Sequence, residues 1–125
     1  MTYTVVIAED DPDIRGLVSI AATKAGLKVL EVVSDGRAAL NAIATHQPDL
    51  AILDISMPEM TGIEVCRAVR ADASIGDVRI LLLSASVEEE AVEAGLSAGA
   101  DHFLAKPFST RELVDWLAIG KQGKP

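Results

Sequence analysis

The strongest constraint on the fold is a fivefold alternation of short apolar runs with longer segments of helical periodicity. Strands are predicted at residues 3–8, 28–33, 50–53, 78–83 and 101–105. The runs at residues 3–8 and 50–53 are short, nearly all apolar and bounded by polar residues, which is typical of buried strands. Strands that alternate with helices form a parallel sheet whose right-handed crossovers place helices on both faces. The pattern therefore predicts a doubly wound α/β domain with five parallel strands and five helices.

Helix boundary signals agree with this alternation. Asp11 and Pro12 match the N-cap and the first helical position, and Gly26 matches the residue that follows a helix end. Ser109 and Glu112 have the spacing of a capping box ahead of the last helix. The helices are predicted over residues 12–25, 36–47, 62–72, 87–98 and 110–119.

The domain is predicted to span residues 1–120, with 121–125 as a frayed tail or the start of a linker. In the last helix, Leu113, Trp116 and Leu117 are expected to face inward. Either the domain acts alone by docking to a partner, or an output domain follows near Lys121.

Net charge, hydropathy and cysteine content restrict the partners and the location that we expect for this chain. Eleven basic residues stand against nineteen acidic ones, and the net charge of −8 opposes direct nucleic-acid binding by this domain. No apolar run approaches the roughly 20 residues that a membrane span needs, so we expect no membrane contact. A single cysteine, Cys66, excludes an internal disulfide and fits a cytoplasmic location.

The third apolar run ends in a carboxylate, Asp54, and Pro58 follows shortly afterwards. In open parallel sheets, ligands and chemistry gather beyond the carboxyl ends of the strands. Taken alone, Asp54 either caps the next turn or takes part in a reaction.

Polar side chains also follow the other predicted strands. Glu9 and Asp10 come after the first, Ser84 after the fourth and Lys106 after the fifth. Three carboxylates in one cleft repel each other unless a cation is present, and oxygen ligands without histidine or cysteine favour Mg²⁺. Carboxylate, divalent ion, lysine and hydroxyl together suit phosphoryl transfer, in which a carboxylate can be the nucleophile.

From about Thr4 to Ile119, the chain resembles the receiver domain of bacterial two-component response regulators, including the chemotaxis regulators. The resemblance rests on motifs in register: Glu9-Asp10, Asp54 with Met57-Pro58 and Gly62, Ser84-Ala85, and Lys106-Pro107-Phe108. The spacings between Asp54, Ser84 and Lys106 also agree with that family. The resemblance implies a flavodoxin-like fold with strand order 2-1-3-4-5 and a cis Lys106-Pro107 bond.

The resemblance also implies a metal site. Asp54 would accept the phosphoryl group and Asp10 would bind Mg²⁺ directly. Glu9 would act through the water shell of the ion, and the backbone carbonyl of Ser56 would be a further ligand.

The resemblance further implies a switch. Ser84 and Lys106 would contact phosphoryl oxygens, and Phe103 would turn as Ser84 moves, reshaping the surface of helix four, strand five and helix five. This surface would control a partner, an output domain or a phosphorylation-dependent homodimer. The phosphoryl group would come from a sensor histidine kinase, a phosphotransfer protein or a small phosphodonor. The domain would catalyse its own phosphorylation and dephosphorylation and act as a signalling protein.

The sequence departs from the family at three positions. Glu9 replaces a more usual aspartate, Phe103 stands where many members have tyrosine, and Ser56 occupies a variable position. None of these removes a group that the chemistry requires.

Three other functions fit the same fold. A flavodoxin-like cofactor binder needs a Ser/Thr/Gly-rich loop after strand one, where this chain has Glu9-Asp10-Asp11-Pro12. A phosphatase with an aspartate nucleophile commonly has an acid two residues later, where this chain has Ser56. A receiver-like scaffold that is never phosphorylated is weakened by the presence of every reactive group.

Overall fold

The computed structural model describes residues 3–85 and 89–122, with the backbone alone for residues 89, 90 and 119–122. Within this range the chain alternates strictly between strands and helices. The strands are β1 (Thr4–Ala8), β2 (Lys28–Val33), β3 (Leu50–Asp54), β4 (Arg79–Ser84) and β5 (His102–Ala105). The helices are α1 (Pro12–Lys24), α2 (Gly36–His46), α3 (Gly62–Ala71), α4 (Glu89–Ser97) and α5 (Thr110–Gln122).

The five strands form one parallel sheet in the order β2-β1-β3-β4-β5. This confirms the predicted fold class and strand order. β3 lies at the centre between β1 and β4, and all five of its residues are buried. The carboxyl end of β3 therefore opens into the middle of one sheet edge.

Side chains of the central strands alternate between two apolar layers. On one face, strand residues such as Val6 and Leu53 pack with residues of α2 and α3. On the other face, Val5 and Ile52 pack with residues of α1 and α5. Because successive side chains of a strand point to opposite faces, strands covered on both sides must be apolar along their interior, as these are.

The helix ends match their sequence signals. Asp11 Oδ1 accepts hydrogen bonds from the N–H groups of Asp13 and Ile14, and Gly26 has a positive φ of 86°. Ser109 and Glu112 form the predicted capping box.

A second capping box begins α3, where Thr61 and Glu64 exchange hydrogen bonds. The Thr-x-x-Glu spacing could have predicted this box.

Two sequence predictions concern the ends of helices. Val87, the predicted start of the fourth helix, and residues 123–125 of the predicted tail lie outside the described residues. α5 continues to Gln122 and thus includes the first two residues of that tail.

Leu113 and Leu117 are buried as predicted, whereas Trp116 is only half-buried, with its ring edge-on to His102 at 4.9 Å between centroids.

Gly36 allows a close approach between α2 and the loop that follows β3. Its N–H donates to the carbonyl of Pro58 at 3.1 Å, and a Cβ at this position would overlap the carbonyl oxygen of Met60. We expect Gly36→Ala to lower the free energy of unfolding by about 1–3 kcal/mol, measured by urea denaturation, because backbone must move to make room.

Gly16 provides the matched control for this substitution. It lies inside α1, and a Cβ there would meet nothing within 4 Å. Gly16→Ala should stabilise the protein by about 1 kcal/mol through helix propensity. If both variants changed stability in the same direction, the packing argument for Gly36 would be wrong.

Candidate functional site

Only three polar or charged residues are buried in the described part of the chain, and all three lie at the same edge of the sheet. They are Glu9, Asp54 and Ser84, with exposed fractions of 0%, 3% and 7%. Glu9 follows β1, Asp54 ends β3 and Ser84 ends β4. Since burying a polar group costs free energy unless it is compensated, their concentration at one edge marks this edge as the candidate site.

Local packing fixes the position of Asp54. Ile55 donates its N–H to the carbonyl of Leu83 at 2.9 Å, so pairing with β4 continues one residue beyond Asp54. The start of α3 lies directly against Asp54, because a Cβ at Gly62 would overlap the Asp54 carbonyl oxygen. The aspartate is therefore held between a strand and a helix terminus.

Lys106 brings a positive charge to these carboxylates. Its Nζ lies 2.8 Å from Glu9 Oε1 and 3.0 Å from Asp54 Oδ1, and its side chain is only 15% exposed. The Lys106 N–H donates to the carbonyl of Ser84 at 2.7 Å, which ties the chain after β5 to the end of β4. The Lys106-Pro107 bond is cis, as predicted.

One ammonium is thus shared by two buried carboxylates, and this arrangement shifts the pKa values of both Glu9 and Lys106. Burial raises the pKa of Glu9 above its ordinary value, against the lowering effect of the Lys106 ammonium and the Asp11 N–H. For Lys106, burial alone would lower the pKa, but the close contacts and charges of the Glu9 and Asp54 carboxylates together raise it. Two carboxyl groups share a single ammonium here, so a further cation would stabilise the ionised form of both.

Three acidic side chains could hold that cation. One carboxylate oxygen from each of Glu9, Asp10 and Asp54 lies within 4.8 Å of the others. Glu9 Oε1 is ion-paired with Lys106 but, among the described residues, has no hydrogen-bond partner of good geometry. An oxygen-only donor set with one exposed member, Asp10, fits Mg²⁺ that keeps part of its water shell. The acidic cluster predicted from the sequence is confirmed, and its chemistry fits this ion.

The structure brings the remaining predicted residues to the same end of the sheet or close to it. Ser56 is exposed in the loop after β3, two residues beyond Asp54. Phe103 pairs in register with Leu82 on β4, and Ala105 pairs with Ser84. Because side chains two residues apart on a strand share a face, Phe103 and Ser84 lie on the same side of the sheet.

Arg15 also contacts this region, and the sequence reasoning missed it. Its guanidinium donates to the carbonyl oxygens of Glu9 at 2.9 Å and Asp10 at 3.4 Å. The one available signal was its position, four residues after the N-cap Asp11, which places it one helical turn from the acidic loop.

Comparison with known proteins gives the same interpretation of the whole chain. A family model described as the response regulator receiver domain matches residues 5–118. The DNA-binding response regulator MtrA of Mycolicibacterium smegmatis is 38% identical over 114 residues, which cover 91% of this chain and 48% of that protein. The phosphate regulon transcriptional regulatory protein PhoB of Pseudomonas aeruginosa is 38% identical over 111 residues, covering 89% and 48%.

Solved structures agree in fold over nearly the full length. The receiver domain of the response regulator NarL from Mycobacterium tuberculosis superposes with a TM-score of 0.89 at 35% identity, covering 98% of each chain. The chemotaxis response regulator CheY4 of Vibrio cholerae gives a TM-score of 0.86 at 34% identity, covering 94% of this chain and 97% of that one.

The chain spans about half the length of the curated relatives it matches. Across the described residues, the helices are all too short or too polar to cross a membrane.

Proposed function

This chain belongs to the response regulator receiver domain family, and on that basis we propose that it is a signalling switch whose phosphoacceptor is Asp54. The observation that carries this proposal is the joint burial of Glu9, Asp54 and Ser84 beside the ammonium of Lys106. A turn cap at Asp54 would not require a second buried acid and a lysine beside it.

The reaction is a transfer of one phosphoryl group. A carboxylate oxygen of Asp54 attacks the phosphorus of the donor, a P–O bond to Asp54 forms, and the bond from phosphorus to the donor nitrogen or oxygen breaks. The donor leaves with the electron pair of that bond. Later attack by water forms a new P–O bond and breaks the P–O bond to Asp54, so that inorganic phosphate leaves, a water proton passes to solvent and the carboxylate is restored.

The residues around Asp54 have separate roles in this transfer. Lys106 stabilises negative charge on the phosphoryl oxygens, and the Ser84 hydroxyl donates a hydrogen bond to one of them. Asp10, Asp54 and the Ser56 carbonyl would hold Mg²⁺ directly, with Glu9 acting through water. Bound Mg²⁺ supplies additional positive charge against the phosphoryl oxygens. With these groups in place, the domain catalyses its own phosphorylation and dephosphorylation.

Labelling of the intact protein tests the proposal. Incubation with acetyl phosphate and Mg²⁺ should add the mass of one phosphoryl group, and EDTA should prevent the addition. Hydroxylamine should remove the group, because it cleaves acyl phosphates and leaves serine phosphate intact. A protein that gains no mass under these conditions, or gains a hydroxylamine-resistant group, would contradict the assignment.

Mg²⁺ binding is expected to be weak, because the site is open and completed by water. Asp10→Ala should abolish binding and Glu9→Ala should weaken it, as measured by amide NMR shifts during a Mg²⁺ titration. Asp13→Ala is the control, since Asp13 is exposed in the first turn of α1 and its loss changes the net charge equally. An Asp10→Ala protein that binds Mg²⁺ like wild type would refute the metal assignment.

We further propose that the switch runs from Ser84 to the surface formed by α4, β5 and α5. Ser84 and Phe103 share a face of the sheet, and Phe103 is only half-buried against that layer. Drawing the Ser84 hydroxyl towards a phosphoryl oxygen would free space into which Phe103 can turn. Beryllofluoride, a phosphoryl mimic, should therefore shift the amide resonances of residues 89–105. Shifts confined to the residues around Asp54 would contradict this route.

The partners follow from the chemistry of the donor and from the switch surface. We propose a sensor histidine kinase or a phosphotransfer protein as donor, with small phosphodonors as substitutes, acting in the cytoplasm. The surface formed by α4, β5 and α5, on which His102 and Trp116 meet, is the surface through which a partner, an output domain or a second copy would respond. Two relatives are named as DNA-binding or transcriptional regulators, which favours an output that acts on transcription.

A further inference from the structure

Arg15 folds back from α1 onto the loop that joins β1 to this helix. Its Nη1 donates to the carbonyl oxygen of Glu9 at 2.9 Å and, more weakly, to that of Asp10 at 3.4 Å. The Arg15 N–H donates to the carbonyl of Asp11 at 2.9 Å, so the same residue belongs to the first helical turn. Arg15 therefore closes the acidic loop against the helix that follows it.

The two acids of this loop differ in what orients their side chains. The Glu9 carboxylate is buried, paired with Lys106 through Oε1, and accepts the Asp11 N–H through Oε2 at 3.2 Å. The Asp10 carboxylate is exposed and, in the described part of the chain, makes no hydrogen bond or ion pair. Only the backbone therefore fixes where the Asp10 side chain starts, through the position of its Cβ.

We propose that Arg15 is a positioning residue for the metal site. By holding the carbonyl groups of Glu9 and Asp10, it keeps the Asp10 carboxylate within reach of the oxygens of Glu9 and Asp54. This inference rests on the proposed function, in which Asp10 is a direct ligand of Mg²⁺. Arg15 itself touches neither the ion nor the phosphoryl group.

The direction in which Mg²⁺ affinity changes separates a positioning role of Arg15 from a simple effect of its charge. The guanidinium is a cation beside three carboxylates, so removing its charge alone would strengthen Mg²⁺ binding. Removing a group that orients a ligand has the opposite effect, and such outer partners typically contribute about 10- to 100-fold in metal affinity. For an open, water-completed site we expect the lower end of this range, a loss of about tenfold in Mg²⁺ affinity.

The experiment compares Mg²⁺ affinity in Arg15→Met and Arg67→Met, without any phosphodonor, at a temperature where both variants are folded. Methionine keeps an unbranched side-chain stem and a similar helix propensity but carries no donor and no charge. Arg67 is exposed on α3 and provides the matched loss of one positive charge. The Mg²⁺ dissociation constant from amide NMR shifts should rise about tenfold for Arg15→Met and stay at the wild-type value for Arg67→Met.

A second readout uses the metal-free protein. Arg15→Met should shift the amide resonances of residues 9–13 and leave those of α3 unchanged. Arg15→Gln serves as a second variant if Arg15→Met does not fold, with the same expected direction.

Unchanged or tighter Mg²⁺ binding by the Arg15 variant overturns the inference. That failure is distinct from failure of the proposed function. In the first case the wild type binds Mg²⁺ and accepts a phosphoryl group, whereas in the second it does neither.

Discussion

Asp54→Asn should accept no phosphoryl group while keeping the native fold. Asparagine has nearly the same shape as aspartate, and its amide oxygen can still accept a hydrogen bond from Lys106 Nζ, which lies 3.0 Å from Asp54 Oδ1. An amide oxygen is not a competent nucleophile towards phosphorus, so the reaction loses its attacking group. Mass spectrometry after treatment with acetyl phosphate and Mg²⁺ should show one added phosphoryl group on the wild type and none on the variant.

Asp13→Asn is the control for this experiment. Asp13 is exposed in the first turn of α1, so its substitution changes the net charge equally and leaves the sheet edge intact. It should be labelled like the wild type. Equal labelling of Asp54→Asn and wild type would place the acceptor on another residue, and thermal unfolding would show whether the variant is folded.

Lys106→Met is expected to lower the free energy of unfolding by about 3–5 kcal/mol near neutral pH. Methionine matches lysine in length, but it leaves Glu9 and Asp54 buried without their shared cation. Breaking a buried ion pair by removing one partner is costly because the remaining charge has neither water nor a counter-ion. Urea denaturation of both proteins measures the difference.

The size of this loss should depend on pH in a defined way. Burial holds the pKa of folded Glu9 above its unfolded value of 4.5, so the folded state binds a proton more readily than the unfolded chain. Stability of the variant then falls as pH rises from 4.5 through the folded pKa, and the deficit is small below that window. The pKa of Lys106 is raised above 10.5, so its stabilising contribution to the wild type is complete below 10.5 and is lost above it.

Mg²⁺ should reduce the loss of stability in Lys106→Met, because the ion supplies the missing positive charge and no longer competes with the lysine. The stabilisation by Mg²⁺ should therefore be larger in Lys106→Met than in the wild type. Lys28→Met, at an exposed position at the start of β2, should show neither the deficit nor the extra response. A Lys106→Met protein as stable as Lys28→Met at pH 7 would show that the observed ion pairs contribute little.

The architecture was predictable because its signals are local. The interior positions of β1, β3 and β4 are all apolar, as expected for a sheet covered on both faces. The caps at Asp11 and Ser109 are also local, since each side chain bonds to backbone within three residues. The convergence of Glu9, Asp54, Ser84 and Lys106 follows from topology, because the carboxyl ends of parallel strands meet at one edge.

Other features depend on how distant segments meet. Trp116 was predicted to face inward; it packs against the apolar layer formed with α1 but stays half-buried, with its ring beside His102. Helical periodicity gives the stripe that faces the core, and it does not give the width of the neighbouring surface that covers it. For the same reason, Gly36 looked like an ordinary helix start, and its contact with Met60 appears only when α2 packs against the loop after β3.

The sequence by itself therefore determined the class of the domain, the order of its elements and most residues of the candidate site, Arg15 being the exception. Tertiary structure alone decided that Lys106 pairs with both Glu9 and Asp54, that Glu9 is completely buried, and that Arg15 holds the acidic loop. Hydrophobic periodicity and capping signals depend on neighbouring residues. A salt bridge, a pKa shift or a carbonyl contact depends on ångström distances between segments far apart in the chain.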